Sequence, residues 1–159
     1  MEKQVRYAEL NDIPDIILLL KAVGKLHGEN RGDIFRGNAL RYSESEIKDF
    51  IKTKKMNIFV SVNETDQVTG MVFCEFKTVE ADNVLLSSKT LWVADACVKE
   101  HCRGEGYGKT LINHVKAFAK ENNCSRIELN VWDFNKGARG FYSGLGMREQ
   151  RHIMEFIVD

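Results

Sequence analysis

Two periods run through the chain. Ile13, Ile16, Ile17, Leu20 and Val23 recur at helical spacing, with Asn11 or Asp12 placed to cap the helix and Pro14 in its first turn. Ser43 and Glu46 form an S-x-x-E capping box ahead of Ile47, Phe50 and Ile51. Leu111, Ile112, Val115, Phe118 and Ala119 mark one face of a third helix. Between these the pattern shortens to strands. "QVRYAEL" is a short one, and "NIFVSV" and "MVFCEFKTV" read as a hairpin around the turn "NETDQVTG". "KTLWVADACV" is apolar enough for a central strand. "RIELNVW" follows the third helix, so it is expected to pair in parallel with the strand before that helix, by a right-handed crossover. "NKGARGFYSGLG" reads as a short helix and "HIMEFIV" as a last strand. "GKLHGENRGDIFRGNALRY" has three glycines and no clear period, which predicts a loop or broken helix. The sum is an α/β fold: a mixed, mostly antiparallel sheet with helices on its faces.

Composition narrows the function classes. A chain of 159 residues suits one domain, expected over 1–159, and is short for two. The 23 basic and 23 acidic residues cancel, which weighs against nucleic acid as a partner. The run "IILLL" is too short to span a bilayer, and "MEKQVRYAEL" lacks the apolar centre of a signal peptide. The expectation is a cytoplasmic protein with no membrane partner. Four cysteines (Cys74, Cys97, Cys102, Cys124) show no paired spacing, so no metal site is expected and the thiols read as reduced and mostly buried.

The chemistry concentrates in "CRGEGYGKT", Cys102 to Thr110, which opens the third helix. A glycine-rich turn before a helix suits a phosphate, because backbone N–H groups converge there in a favourable dipole. The Walker loop fails because Arg103 stands where its first glycine belongs. The dinucleotide fingerprint fails at Lys109. The pattern R-x-x-G-x-G is met by Arg103, Gly106 and Gly108.

That pattern resembles the acyl-CoA pyrophosphate loop of the GCN5-related N-acetyltransferase (GNAT) superfamily. A second block, N-x-x-A-x-x-F-Y-x-x-x-G, is carried by Asn135, Ala138, Phe141, Tyr142 and Gly146. The resemblance covers about Val5 to Val158 and is strong from Thr90 to Met147. It implies the GNAT acyl-CoA N-acyltransferase fold, acetyl-CoA as cofactor, and transfer of an acetyl group to a primary amine. The cofactor's pyrophosphate would then lie on Arg103, Gly104, Glu105, Gly106, Tyr107, Gly108 and Lys109. Its pantetheine arm would run along Ala96, Cys97 and Val98 as an added strand, with Asn135 as a further contact.

Acyl transfer to an amine needs a neutral nucleophile, a donor for the developing oxyanion and a proton for the departing thiolate. The resemblance assigns the last to Tyr142 as general acid and the oxyanion to a backbone N–H near Cys97. Many relatives carry an acidic pair on the strand before the loop. Here Asp95 remains beside Ala94, and period-two alternation places it on one face with Val93 and Cys97. Asp95 is the candidate base or ammonium ligand; Glu75 is the second candidate. Substrate selection is expected from the N-terminal half, with His27, Glu29, Asp33 and Tyr42 as candidate wall residues. The acceptor is a small-molecule or peptide amine. "HIMEFIV" also offers an edge for a homodimer. A non-catalytic acyl-CoA-binding regulatory module is the alternative.

Overall fold

The computed structural model describes residues 3–158. One sheet carries the strands in sequence order: β1 (Gln4–Tyr7), β2 (Asn57–Val62), β3 (Val68–Val79), β4 (Ser88–Val98) and β5 (Arg126–Leu129). The first three pairings are antiparallel and β4–β5 is parallel, as the strand–helix–strand order predicts. Four helices complete the fold: α1 (Ile13–Asn30), α2 (Glu44–Thr53), α3 (Tyr107–Glu121) and α4 (Lys136–Gly144).

The strands are apolar throughout because both faces are covered. In β2, Ile58, Val60 and Val62 point into a core with Met71 and Phe73 of β3 and with Ile13, Ile16, Leu20 and Ile47 of α1 and α2. Phe59 points the other way, joining Val72, Cys74, Leu91 and Val93 beneath Leu111, Val115 and Ala119 of α3. The capping box at the start of α2 forms as read: Ser43 Oγ accepts from Glu46 N at 3.2 Å and Glu46 Oε2 from Ser43 N at 2.7 Å. Asp12 behaves differently. Its carboxylate accepts from Glu9 N and from Arg6, and it makes no side-chain cap on α1.

Two sequence expectations need correction. The glycine-rich stretch after Val23 is not a break: α1 runs on to Asn30. Its glycines serve close approach instead. The segment after α1 crosses directly over the helix, so a Cβ on Gly24 would stand 2.6 Å from the Ala39 carbonyl oxygen. Helix propensity favours alanine over glycine by up to about 1 kcal/mol, but a backbone clash of this kind costs more. Gly24→Ala is expected to destabilise the protein by about 1–3 kcal/mol, read as a lower denaturation midpoint.

The second correction is at the C-terminus. "HIMEFIV" forms no strand. A strand needs a ladder partner, and the only ties around this segment are through side chains. Gln150 donates to Glu128 of β5 and Glu155 pairs with Arg31. Ile153, Met154, Phe156, Ile157 and Val158 are all more than 80% exposed.

Candidate active site

The site begins where β4 and β5 part. Their pairing stops at Val93↔Leu129, yet β4 stays paired with β3 as far as Val98. The β5-side edge of β4 from Ala94 onward therefore has no ladder partner among the described residues. The register on the β3 side also slips here: Phe73 pairs with Asp95 and Cys74 with Val93, leaving Ala94 as the extra residue of a bulge. The bulge corrects the face assignment. Val93 packs under α3, whereas Ala94 and Cys97 pack on the α1–α2 side. Asp95 also lies on that side, away from Val93, since its neighbour is Arg41.

Asp95 is the unusual group. Its side chain is 4% exposed, and Arg41 Nη1 lies 3.3 Å from Oδ2. That is ion-pair range, but the alignment is not that of a hydrogen bond, and Oδ2 has no hydrogen-bond partner. Arg41 Nη1 instead donates to the Ala94 carbonyl at 3.1 Å. Burial pushes the Asp95 carboxyl up to about 6, with Arg41 acting against the rise. Burial also pushes the Cys97 thiol up, partly countered by Arg103, so it is a poor nucleophile at neutral pH.

Beyond Val98 a short 3-10 turn (Glu100–Cys102) leads into the glycine loop. Arg103 folds back, its Nε donating to the Val98 carbonyl at 3.2 Å. Gly104 and Gly106 have φ of +79° and +92°, a region that costs other residues. The first α3 bond is Thr110 N to Gly106 O at 3.0 Å. Among the described residues, no backbone carbonyl takes the N–H groups of Gly104 through Lys109. Such a row of unused donors at a helix start suits the pyrophosphate of a coenzyme. Glu105 and Lys109 are exposed there, while the Tyr107 ring is buried at the base with Lys3 Nζ 5.0 Å from its centroid. Gly108 lets α4 close in, since a Cβ there would stand 3.1 Å from Phe141 Cζ.

Helix α4 brings the last groups. Asn135 caps it, Oδ1 accepting from Ala138 N at 3.1 Å. Tyr142 is half-buried with its ring 5.1 Å from Phe141. Burial, then the neighbouring Cys97, push the phenol up to about 12. Tyr142, Cys97 and Asp95 are thus assembled about the end of β4, as the sequence had placed them.

The acceptor-side candidates scatter. Glu75 pairs in register with Trp92 and lies 3.9 Å from Lys77, half-buried. Tyr42 stacks on Phe73 at 5.3 Å and belongs to the core wall. Asp33 is exposed and held by Arg31 at 2.7 Å, and Glu29 pairs with Lys25 along the helix. His27 enters an aromatic group that the sequence reading missed: it stacks on Phe35 at 4.9 Å and meets Phe134 at 5.9 Å, while Phe35 meets Trp132 at 5.2 Å. Trp132 and Phe134 flank a loop between strand and helix, a position where aromatic residues merit notice. Nothing in the sequence singled out Arg41.

The model of the acetyltransferase (GNAT) family matches residues 28–147. The chain belongs to this family. A solved GNAT-like relative, the BH1408 protein of Bacillus halodurans, is 30% identical over 98% of this chain and 99% of its own, with a TM-score of 0.92. A Trypanosoma brucei acetyltransferase shares the fold at 19% identity, covering 99% of this chain and all of that chain, with a TM-score of 0.68. Thialysine N-epsilon-acetyltransferase of Bos taurus is 31% identical over 80 residues, 50% of this chain and 43% of that protein. The alignment with N-acetyltransferase 8B of Homo sapiens is 26% identical and covers 76% of this chain and 53% of that protein. The matched part thus spans about half or less of the length of these curated relatives. No helix among the described residues is long and apolar enough to cross a membrane. As a GNAT acetyltransferase, the chain pairs the parted β4 edge with the free N–H row of its glycine loop, two features that meet at Val98.

Proposed function

We propose that the chain, acting as one domain, transfers the acetyl group of acetyl-CoA to a primary amine within a ternary complex. The observation that carries this reading is the buried, unpartnered Asp95 Oδ2 beside the open edge of β4. Acetyl-CoA, when bound, supplies the activated thioester. The loop from Arg103 to Lys109 holds its phosphates, and Ala96, Cys97 and Val98 offer backbone groups to its arm. Asp95 orients the amine and takes the proton it sheds as the N–C bond forms. Tyr142 Oη supplies a proton to the sulfur as the C–S bond breaks. Asn135 positions α4 and so Tyr142. Transfer is direct, because the raised Cys97 thiol is a weak covalent relay. A non-catalytic binding module has no use for an ionisable oxygen buried at a cost to stability.

Thiol release from acetyl-CoA over a panel of amines tests the reading. Turnover on one amine class supports it; stabilisation by coenzyme A with silence across amines favours the binding module. Gly106→Ala tests the loop. Forcing a side chain into positive φ costs about 1–2 kcal/mol, so affinity for coenzyme A is expected to fall by about tenfold. Unchanged affinity would remove the loop from the cofactor site. The exposed apolar segment 151–158 is a candidate homodimer contact. Sedimentation of the intact chain against one ending at Gln150 tests it, and a monomer in both removes that role.

A further inference from the structure

Three features meet beside Asp95, and none is explained by acetyl transfer alone. The first is Arg41. Its side chain is 55% exposed, and among the described residues its polar contacts are the Ala94 carbonyl and the misaligned Asp95 oxygen. A guanidinium carries five donors in a planar fork, so most of this fork faces outward. It is held in place, 5.5 Å over the Tyr42 ring, which is itself packed between Phe50 and Phe73.

The second feature is the aromatic group. His27, Phe35, Trp132 and Phe134 come from α1, the segment after it, and the β5–α4 loop, and are joined by ring contacts of 4.9–6.3 Å. All are half-buried, and none belongs to either hydrophobic core. They form a wall with an open side. Arg41 borders it: after burial, the Arg41 charge is what holds the His27 imidazole below its ordinary value.

The third feature is what the wall cannot do. An aromatic surface often takes a cation over its face, but Arg31 already lies 5.5 Å over Trp132, balanced by Asp33 and Glu155. The wall therefore offers apolar stacking. A second cation on the acceptor would meet Arg41.

Resting on the acetyltransferase reading, we propose that the acceptor is an amphoteric amine, an α-amino acid with an aromatic or broad apolar side chain. Its ammonium group sits on Asp95 Oδ2, its carboxylate on the outward fork of Arg41, and its side chain on the wall of His27, Phe35, Trp132 and Phe134. The neighbouring anion and cation of the protein match the neighbouring ammonium and carboxylate of the ligand. A planar fork is the favoured partner for a carboxylate. A peptide N-terminus lacks the charge for Arg41, and a polyamine brings the wrong one.

The test measures thiol release with phenylalanine, phenylalaninamide, phenethylamine, alanine and spermidine. Phenylalanine is expected to exceed the amide and the decarboxylated amine in kcat/KM by roughly 10²-fold or more, since a site built for a polar group rejects analogues that lack it. It should exceed alanine as well. Arg41→Gln should collapse the phenylalanine-to-amide ratio towards one, and Trp132→Ala should collapse the phenylalanine-to-alanine ratio. Equal or better turnover of phenethylamine, phenylalaninamide or spermidine overturns the proposal while leaving the acetyltransferase reading intact. If no amine is turned over, that reading fails, and calorimetry of the coenzyme A complex decides the site. Binding of phenylalanine and not of its amide upholds it; binding of neither overturns it.

Discussion

Replacing Tyr142 by phenylalanine is expected to lower kcat by about 10²–10⁴-fold, the usual worth of a positioned general acid, with little change in KM for acetyl-CoA. The substitution keeps the ring, so its contact with Phe141 and the packing of α4 on Gly108 stay in place. The melting temperature should therefore hold, and only the hydroxyl is lost. That hydroxyl suits an acid. Burial pushes it up to about 12, so it is protonated at any pH where the enzyme works. The rate should consequently show no loss from this group between neutral pH and about 10. A Tyr142→Phe enzyme that turns over at the original rate would mean that water protonates the leaving sulfur, and would remove Tyr142 from the chemistry.

The cofactor side of this site was legible in the sequence because it is built from local rules. A glycine with positive φ and a helix N-terminus are consecutive residues, and Gly106 and Tyr107 announce themselves by type and order. The capping box of α2 and the hairpin around Asn63 are local in the same sense. What failed was what depends on distant partners. Gly24 and Gly28 read as helix breakers, because nothing near them in sequence says that the segment at Gly37 and Ala39 will lie on the helix. Ala94 reads as an ordinary strand residue, because a bulge is a property of two strands. The slip it causes turns Asp95 away from Val93 and towards Arg41, a partner 54 residues earlier whose role leaves no pattern. "HIMEFIV" has strand composition, but composition does not supply a neighbour.

The acceptor side was hidden for the same reason. His27, Phe35, Trp132 and Phe134 lie in three segments that come together only once α1 and the β5–α4 loop are both docked. The division has a physical logic. Every acceptor must meet the same cofactor, so that half can be a compact motif. A selective pocket is assembled by tertiary contact, and its members need share no spacing.

Asp95→Asn should separate function from stability most sharply. The folded pKa of Asp95, about 6, lies above the unfolded value of 3.8. The folded state therefore holds its proton longer, and ionising Asp95 weakens the fold as pH rises from about 4 through about 6. At neutral pH that cost is about 3 kcal/mol, given 1.36 kcal/mol for each pH unit between the two states. Asparagine removes the charge and keeps the shape, and the half-exposed Arg41 can turn to solvent. Asp95→Asn is therefore expected to melt about 5–10 °C above the original protein at pH 7, with the gap closing near pH 4. Its kcat/KM should fall by about 10²–10⁴-fold, and the original enzyme should itself lose activity below about pH 6 as the carboxylate is protonated. A gain in stability coupled to a loss of activity marks a carboxylate kept for its chemistry. If the asparagine variant melts lower at pH 7, the Arg41–Asp95 pair is a net stabiliser, and the case for Asp95 as the amine's partner loses its physical basis.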